Sequence, residues 1–138
     1  MLPKAHIILG LIFSVLLFFL HITILEASLI FLSSVLIDVD HYLFIIKRKK
    51  IWNLKKAFYW HKNLPKDHKP MMHIFHSIEF LILILILSFF IKIFLFILIG
   101  LLFHSVFDIF DLLYNKRYNV REFSMIRYLL SKDKLKYF

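Results

Sequence analysis

Four apolar runs divided by polar punctuation dominate the chain, at roughly 5–20, 27–46, 71–91 and 93–113. Each is close to the ~20 residues a helix needs to cross a hydrocarbon core about 30 Å thick at 1.5 Å per residue. Lipid does not tolerate unpaired backbone groups, so runs of this kind cross it as helices. The pattern therefore predicts an all-α fold, an integral membrane bundle of about four transmembrane helices. Between the second and third runs, the stretch IWNLKKAFYW at 51–60 interleaves aromatics with lysines, as a short interfacial helix does. The stretch 120–137 has a weaker version of the same character.

The 138 residues leave room for one membrane domain spanning 1–138. With 61% of the chain hydrophobic, a water-soluble fold of this size would have too little interior to hide its apolar surface. The net charge of +9 raises nucleic acid as a partner, but the basic residues are not spread as a binding face. They gather in a loop at 47–70 and a tail at 114–138, while 21–26 has none and the turn between the last two runs has only Lys92. Basic flanks mark the cytoplasmic side. The expectation is a multi-pass protein of the cytoplasmic membrane with both termini and the long loop inside, partnered by the lipid bilayer and by no specific nucleic acid. No small-residue cleavage pattern follows the first run, which is read as a retained helix. The absence of cysteine excludes disulfides and thiolate metal sites.

Several ionisable residues interrupt the apolar runs. His6 lies near the start of the first, Asp38, Asp40 and His41 in the second, His73, His76 and Glu79 opening the third, and His104, Asp108 and Asp111 in the fourth. Each such group costs about 2.5–3.5 kcal/mol on insertion scales, so their presence asks for a physical reason. Asp38 and His41 are three apart, as are His73 and His76, and His104 and Asp108 are four apart; residues at these spacings share a helix face. With the topology taken from Lys and Arg alone, the polar groups of all four helices fall at similar depth on the basic side. A divalent cation relieves the cost of gathering imidazoles and carboxylates there, and helix bundles hold such ions on inward-facing pairs.

That order of residues resembles the small membrane-bound metal-dependent hydrolases of bacteria and archaea, the YdjM-type family. The elements are Ala5-His6, the DVDH of 38–41, the HIFHS of 73–77 and the GLLFHSVFD of 100–108. The resemblance covers nearly all of the hydrophobic part of the chain. It implies a helical membrane fold, a divalent-metal hydrolase activity, and a metal set of His6, Asp38, His41, His73, His76, His104 and Asp108.

The function expected is therefore a metal-dependent hydrolase at the cytoplasmic membrane face, holding one or two divalent ions, zinc first and manganese or iron as alternatives. A carboxylate outside the ligand set, Asp40 or Asp111, would take the proton. Asp40, facing away from Asp38, would otherwise orient a ligand imidazole. The basic loop suits a phosphorylated or lipid-linked substrate. The competing readings are a polar core that glues helices by hydrogen bonds, or a metal-binding membrane protein without catalysis: an ion or proton carrier, or a structural metal site. Glu79 is open between general base, ligand, and partner of His76 or of a loop lysine. His21, His61 and His68 are read as ordinary turn and loop residues.

Overall fold

The computed structural model describes residues 3–65, 68–117 and 119–132. Lys66 of the basic loop and the end of the basic tail, 133–138, lie outside the described residues. The protein is mostly helical: α1 (Pro3–Phe19), α2 (Ile24–Leu36), α3 (Val39–Lys49), α4 (Leu54–Lys62), α5 (Ile78–Phe90), α6 (Lys92–Tyr114) and α7 (Met125–Leu130). Two strands of two residues each, β1 (Met71–Met72) and β2 (Arg121–Glu122), pair in parallel.

Two helical hairpins, α1–α2 and α5–α6, form the body, joined through α2 packed on α6 with α1 and α5 on the flanks. Both hairpin turns lie at one end, where Lys92 Nζ meets Glu26 at 2.8 Å. Glu26 also completes a capping box at the start of α2: its backbone N–H donates to Thr23 Oγ1 and its carboxylate accepts from the Thr23 N–H. The chain's two glycines mark the close approaches. A Cβ on Gly100 of α6 would lie 2.0 Å from Ser33 Oγ and 2.3 Å from the Ile30 carbonyl oxygen of α2, and one on Gly10 of α1 would lie 2.4 Å from Ser34 Oγ. At Gly100 only glycine lets the two backbones come so near, whereas at Gly10 the space is shared with the Ser34 side chain.

Among the described residues, two helices are long and apolar enough to cross a membrane: 24–49, which runs through α2 and α3, and α6. The apolar helices α1 and α5 are shorter. All four carry large apolar side chains on their outer faces, among them Leu16, Phe19, Leu32, Leu83, Phe89 and Val106.

Two expected helices differ from the sequence reading. The 27–46 run is interrupted at Ile37 and Asp38, where the Asp38 N–H turns to the Val35 carbonyl and the His41 N–H to the Asp38 carbonyl, each closing an i→i+3 bond. The 71–91 run is helical only from Ile78, with Ser77 as its cap. Residues 71–77 are strand and turn, so His73 and His76 are not stacked on a helix face. The reason is tertiary. Met71 N–H donates to the Val120 carbonyl and Ile78 N–H to the Phe123 carbonyl, so this backbone spends its hydrogen bonds on the C-terminal segment. The interfacial stretch 51–60 forms α4 from Leu54, capped by Asn53.

Candidate metal centre

The break in the α2–α3 rod prepares the site. In an unbroken α-helix the Asp38 N–H would donate to the Ser34 carbonyl; here it goes to Val35, and the Ser34 carbonyl accepts His104 Nδ1 at 2.7 Å. A carbonyl cannot donate, so the proton of His104 sits on Nδ1 and the lone pair on Nε2. Asp40 does the same for the second imidazole. Its Oδ2 lies 3.0 Å from both His76 Nδ1 and the Phe75 backbone nitrogen, which donates to it. His76 Nε2 is thereby also left as the bare nitrogen.

The two bare nitrogens face each other at 3.3 Å. Asp38 Oδ1 lies 3.5 Å from His104 Nε2 and 3.8 Å from His76 Nε2. Asp108 Oδ2 lies 3.4 Å from His104 Nε2 and 3.6 Å from His76 Nε2. Ligands about 2.1 Å from a tetrahedral ion stand about 3.4 Å from one another. The five separations given, 3.3–3.8 Å, match those within a tetrahedral shell, and a cation between these nitrogens and carboxylates would be held by all four. His76, His104 and Asp108 are buried and Asp38 is partly exposed, so the group opens on one side only. Buried His and Asp groups that can hold a metal ion are thus a feature of the fold.

The remaining expected residues surround this set. His6 is held outside it: its Nε2 is 3.1 Å from the other oxygen of Asp108, and its ring stacks on His104 at 3.9 Å. Its contacts are those a partner standing behind a candidate ligand makes. Asp40, His41 and His73 form a second group whose ligand atoms lie within 4.8 Å of one another. Asp111 sits lower on α6, accepts from Asn115 Nδ2 at 3.2 Å and pairs with Arg117 at 3.6 Å. Glu79 takes none of the roles left open for it. It accepts from Ser124 Oγ and from the Met125 and Ile126 N–H groups, capping α7.

Three residues were not legible as site residues. Arg121, carried on β2, reaches Asp108 Oδ2 at 2.8 Å. Buried Glu122 beside it holds the Arg127 guanidinium at 2.7 Å and accepts the Ser124 N–H, folding the C-terminal segment on itself. His61 of α4, taken as an ordinary loop residue, packs edge-on against His41 at 5.1 Å. Burial, with His68 and the Arg121 guanidinium nearby, pushes its imidazole down to about 4, so it is neutral at physiological pH. The sequence signal available was the aromatic-rich, amphipathic stretch that carries His61.

A cavity of about 530 Å³ opens in front of the cluster. Asp38, His41, His73 and Asp108 form its floor; Lys62, Arg117 and Arg121 supply cations, and Leu36, Tyr42, Ile45, Leu54 and Phe58 supply an apolar wall. The arrangement offers a cation site next to an anion-binding rim and a greasy surface. Comparison with protein-family models, with curated proteins and with solved structures finds no match to this chain.

Proposed function

We propose that this chain is a four-span protein of the cytoplasmic membrane that binds a divalent ion, zinc first, through Asp38, His76, His104 and Asp108. We infer that it hydrolyses a phosphoester, or another ester, of a lipid-linked or membrane-proximal substrate, as its resemblance to membrane-bound metal-dependent hydrolases suggests. The observation that carries the reading is the pair of Nε2 atoms facing each other at 3.3 Å between two carboxylates, each the lone-pair nitrogen of a neutral ring whose Nδ1 donates to an acceptor-only partner.

The membrane placement rests on the apolar outer faces of α1, α2, α5 and α6 and on the basic residues gathered at the site end. Helix α5, at 13 residues, is about 20 Å long. The segment 71–77 below it is irregular but, Ile74 apart, buried or half-buried in protein, the condition under which non-helical backbone is tolerated at membrane depth. Both termini and α4 then lie on the cytoplasmic side, and the two hairpin turns outside.

A divalent ion in this set supplies Lewis-acid polarisation of an ester oxygen and a water acidified toward neutrality. The chain's own residues do the rest. Arg121 and Arg117 draw the anionic group to the rim, and the planar guanidinium matches phosphate geometry better than an ammonium does. The apolar wall takes the lipid part. Asp40, already accepting two N–H groups, fixes the tautomer of His76, and Asp111, at the cavity mouth beside Arg117, is the carboxylate we assign to receive a proton.

The test is elemental analysis of detergent-purified protein with and without chelator, beside a panel of phosphoester and carboxylic-ester substrates. Bound metal that is lost in His76→Ala and His104→Ala, with hydrolysis that follows metal content, supports the reading. Full metal content in both variants would overturn the ligand assignment, and stoichiometric metal with no hydrolysis across the panel would leave a metal-binding membrane protein in place of an enzyme.

A further inference from the structure

We propose a second ion position, formed by Asp40, His41 and His73, so that the pocket holds a pair of divalent ions; this rests on the metal-binding reading of the neighbouring centre. Three buried atoms without a hydrogen-bond partner point to it: Asp40 Oδ1, His41 Nδ1 and His73 Nδ1. Buried polar atoms are nearly always satisfied, and here one from each of three residues is not. Asp40 and His73 are both more than nine-tenths buried.

The other end of two of these side chains is already engaged, which aims the free atoms. Asp40 Oδ2 is occupied by the Phe75 N–H and by His76 Nδ1, leaving Oδ1 toward His73 Nδ1 at 3.7 Å. That separation is too long for a hydrogen bond and close to the roughly 3.4 Å between two ligands of one tetrahedral ion. His41 turns its Nε2 toward Asp38 Oδ1 at 3.5 Å, and its Nδ1, on the other side of the ring, is the buried atom without a partner. The His41 and His73 rings lie 3.8 Å apart, both beside the cavity.

The two positions are linked through carboxylates that each touch a ligand of the other. Asp38 Oδ1, part of the first centre, is also the atom that His41 faces. Asp40 gives one oxygen to a ligand of the first centre and the other to the second. Two divalent ions held side by side would clamp the attacking and leaving oxygens of a phosphoryl transfer, which fits the cationic rim of the cavity.

The experiment uses the full chain in detergent, stripped by chelator and titrated with Mn(II) alone, with ions counted by elemental analysis and their coupling read by electron paramagnetic resonance. The wild type is expected to bind two Mn(II) per chain with an exchange-coupled spectrum. His73→Ala is expected to bind one, with the six-line spectrum of an isolated ion. Asp40→Asn, which keeps the shape and an acceptor for Phe75, is expected to do the same and serves if His73→Ala does not fold. One ion in the wild type, unchanged in both variants and lost in His104→Ala, overturns the second position and leaves the first. One ion lost in His73→Ala and retained in His104→Ala overturns the first centre instead. No bound ion in the wild type overturns both.

Discussion

His104 and Asp108 reach the centre from α6, whereas His73 and His76 reach it from a strand and turn; the two halves of the cluster are held by different physics. On α6 the ligands are one turn apart on a 23-residue helix, and the helix's own hydrogen bonds set their separation. The 71–77 segment has no such internal ladder. Its shape comes from β1 pairing with β2, from Ile78 N–H bonding to Phe123, and from Glu79 capping α7. One half is built locally, and the other is clasped in place by residues about fifty positions away. The difference separates what the bundle provides from what the C-terminal segment provides, and it can be tested by loosening each in turn.

The largest effect belongs to the imidazoles themselves. His104→Ala and His76→Ala each remove a converging nitrogen, and bound metal should fall by more than ~100-fold, beyond what loss of a supporting partner costs. Metal titration checks this, and undiminished affinity in either would break the four-atom assignment. Removal of residues 120–138 comes next. It takes away the clasp and Arg121 but no proposed ligand, so affinity should drop about 100-fold while circular dichroism still reports the apolar helices. If affinity is unchanged, the 71–77 segment holds itself.

Gly100→Ala attacks the helical half. A methyl group 2.3 Å from the Ile30 carbonyl oxygen must push α6 from α2, which should cost about 1–3 kcal/mol and stretch the His104 bond to Ser34. Thermal unfolding in detergent reads the first effect and metal titration the second. Glu79→Gln loosens the clasp without cutting it. The three groups donating to this carboxylate lose its charge, a change of about 1.5 kcal/mol in favourable cases, and metal affinity should weaken about tenfold. Thr23→Ala, at the far end, should cost about 1 kcal/mol of stability and leave metal binding untouched, because its capping box serves only the start of α2. Altered metal affinity there would mean that the two ends are coupled through the bundle.

The apolar runs, the interfacial helix and the pairing of His104 with Asp108 were legible in sequence because each depends on spacings within one helix. Asp38 was recognised as a candidate but not its position at a break, since nothing in VLIDVDHYL distinguishes an interrupted helix from a continuous one. The orienting role open to Asp40 was legible from its offset to Asp38, though its partner, His76, is 36 positions away. His73 and His76 were placed on a helix because MMHIFHS continues directly into an apolar run. Arg121 and Glu122 gave no sign, being ordinary members of a basic tail, and His61 gave only the amphipathic character of the stretch it ends.

By itself the sequence determined four apolar runs, a basic end, and a set of imidazoles and carboxylates too costly to leave dispersed in an apolar setting. Tertiary structure decided where the helices stop, which nitrogen of His76 and of His104 keeps its proton, and that an arginine from the tail stands on Asp108. Short-range periodicity is written in residue spacing because a helix bonds each residue to its fourth neighbour. A two-residue parallel bridge has no period, and its partners are chosen only when the packed bundle brings residues 71 and 121 side by side.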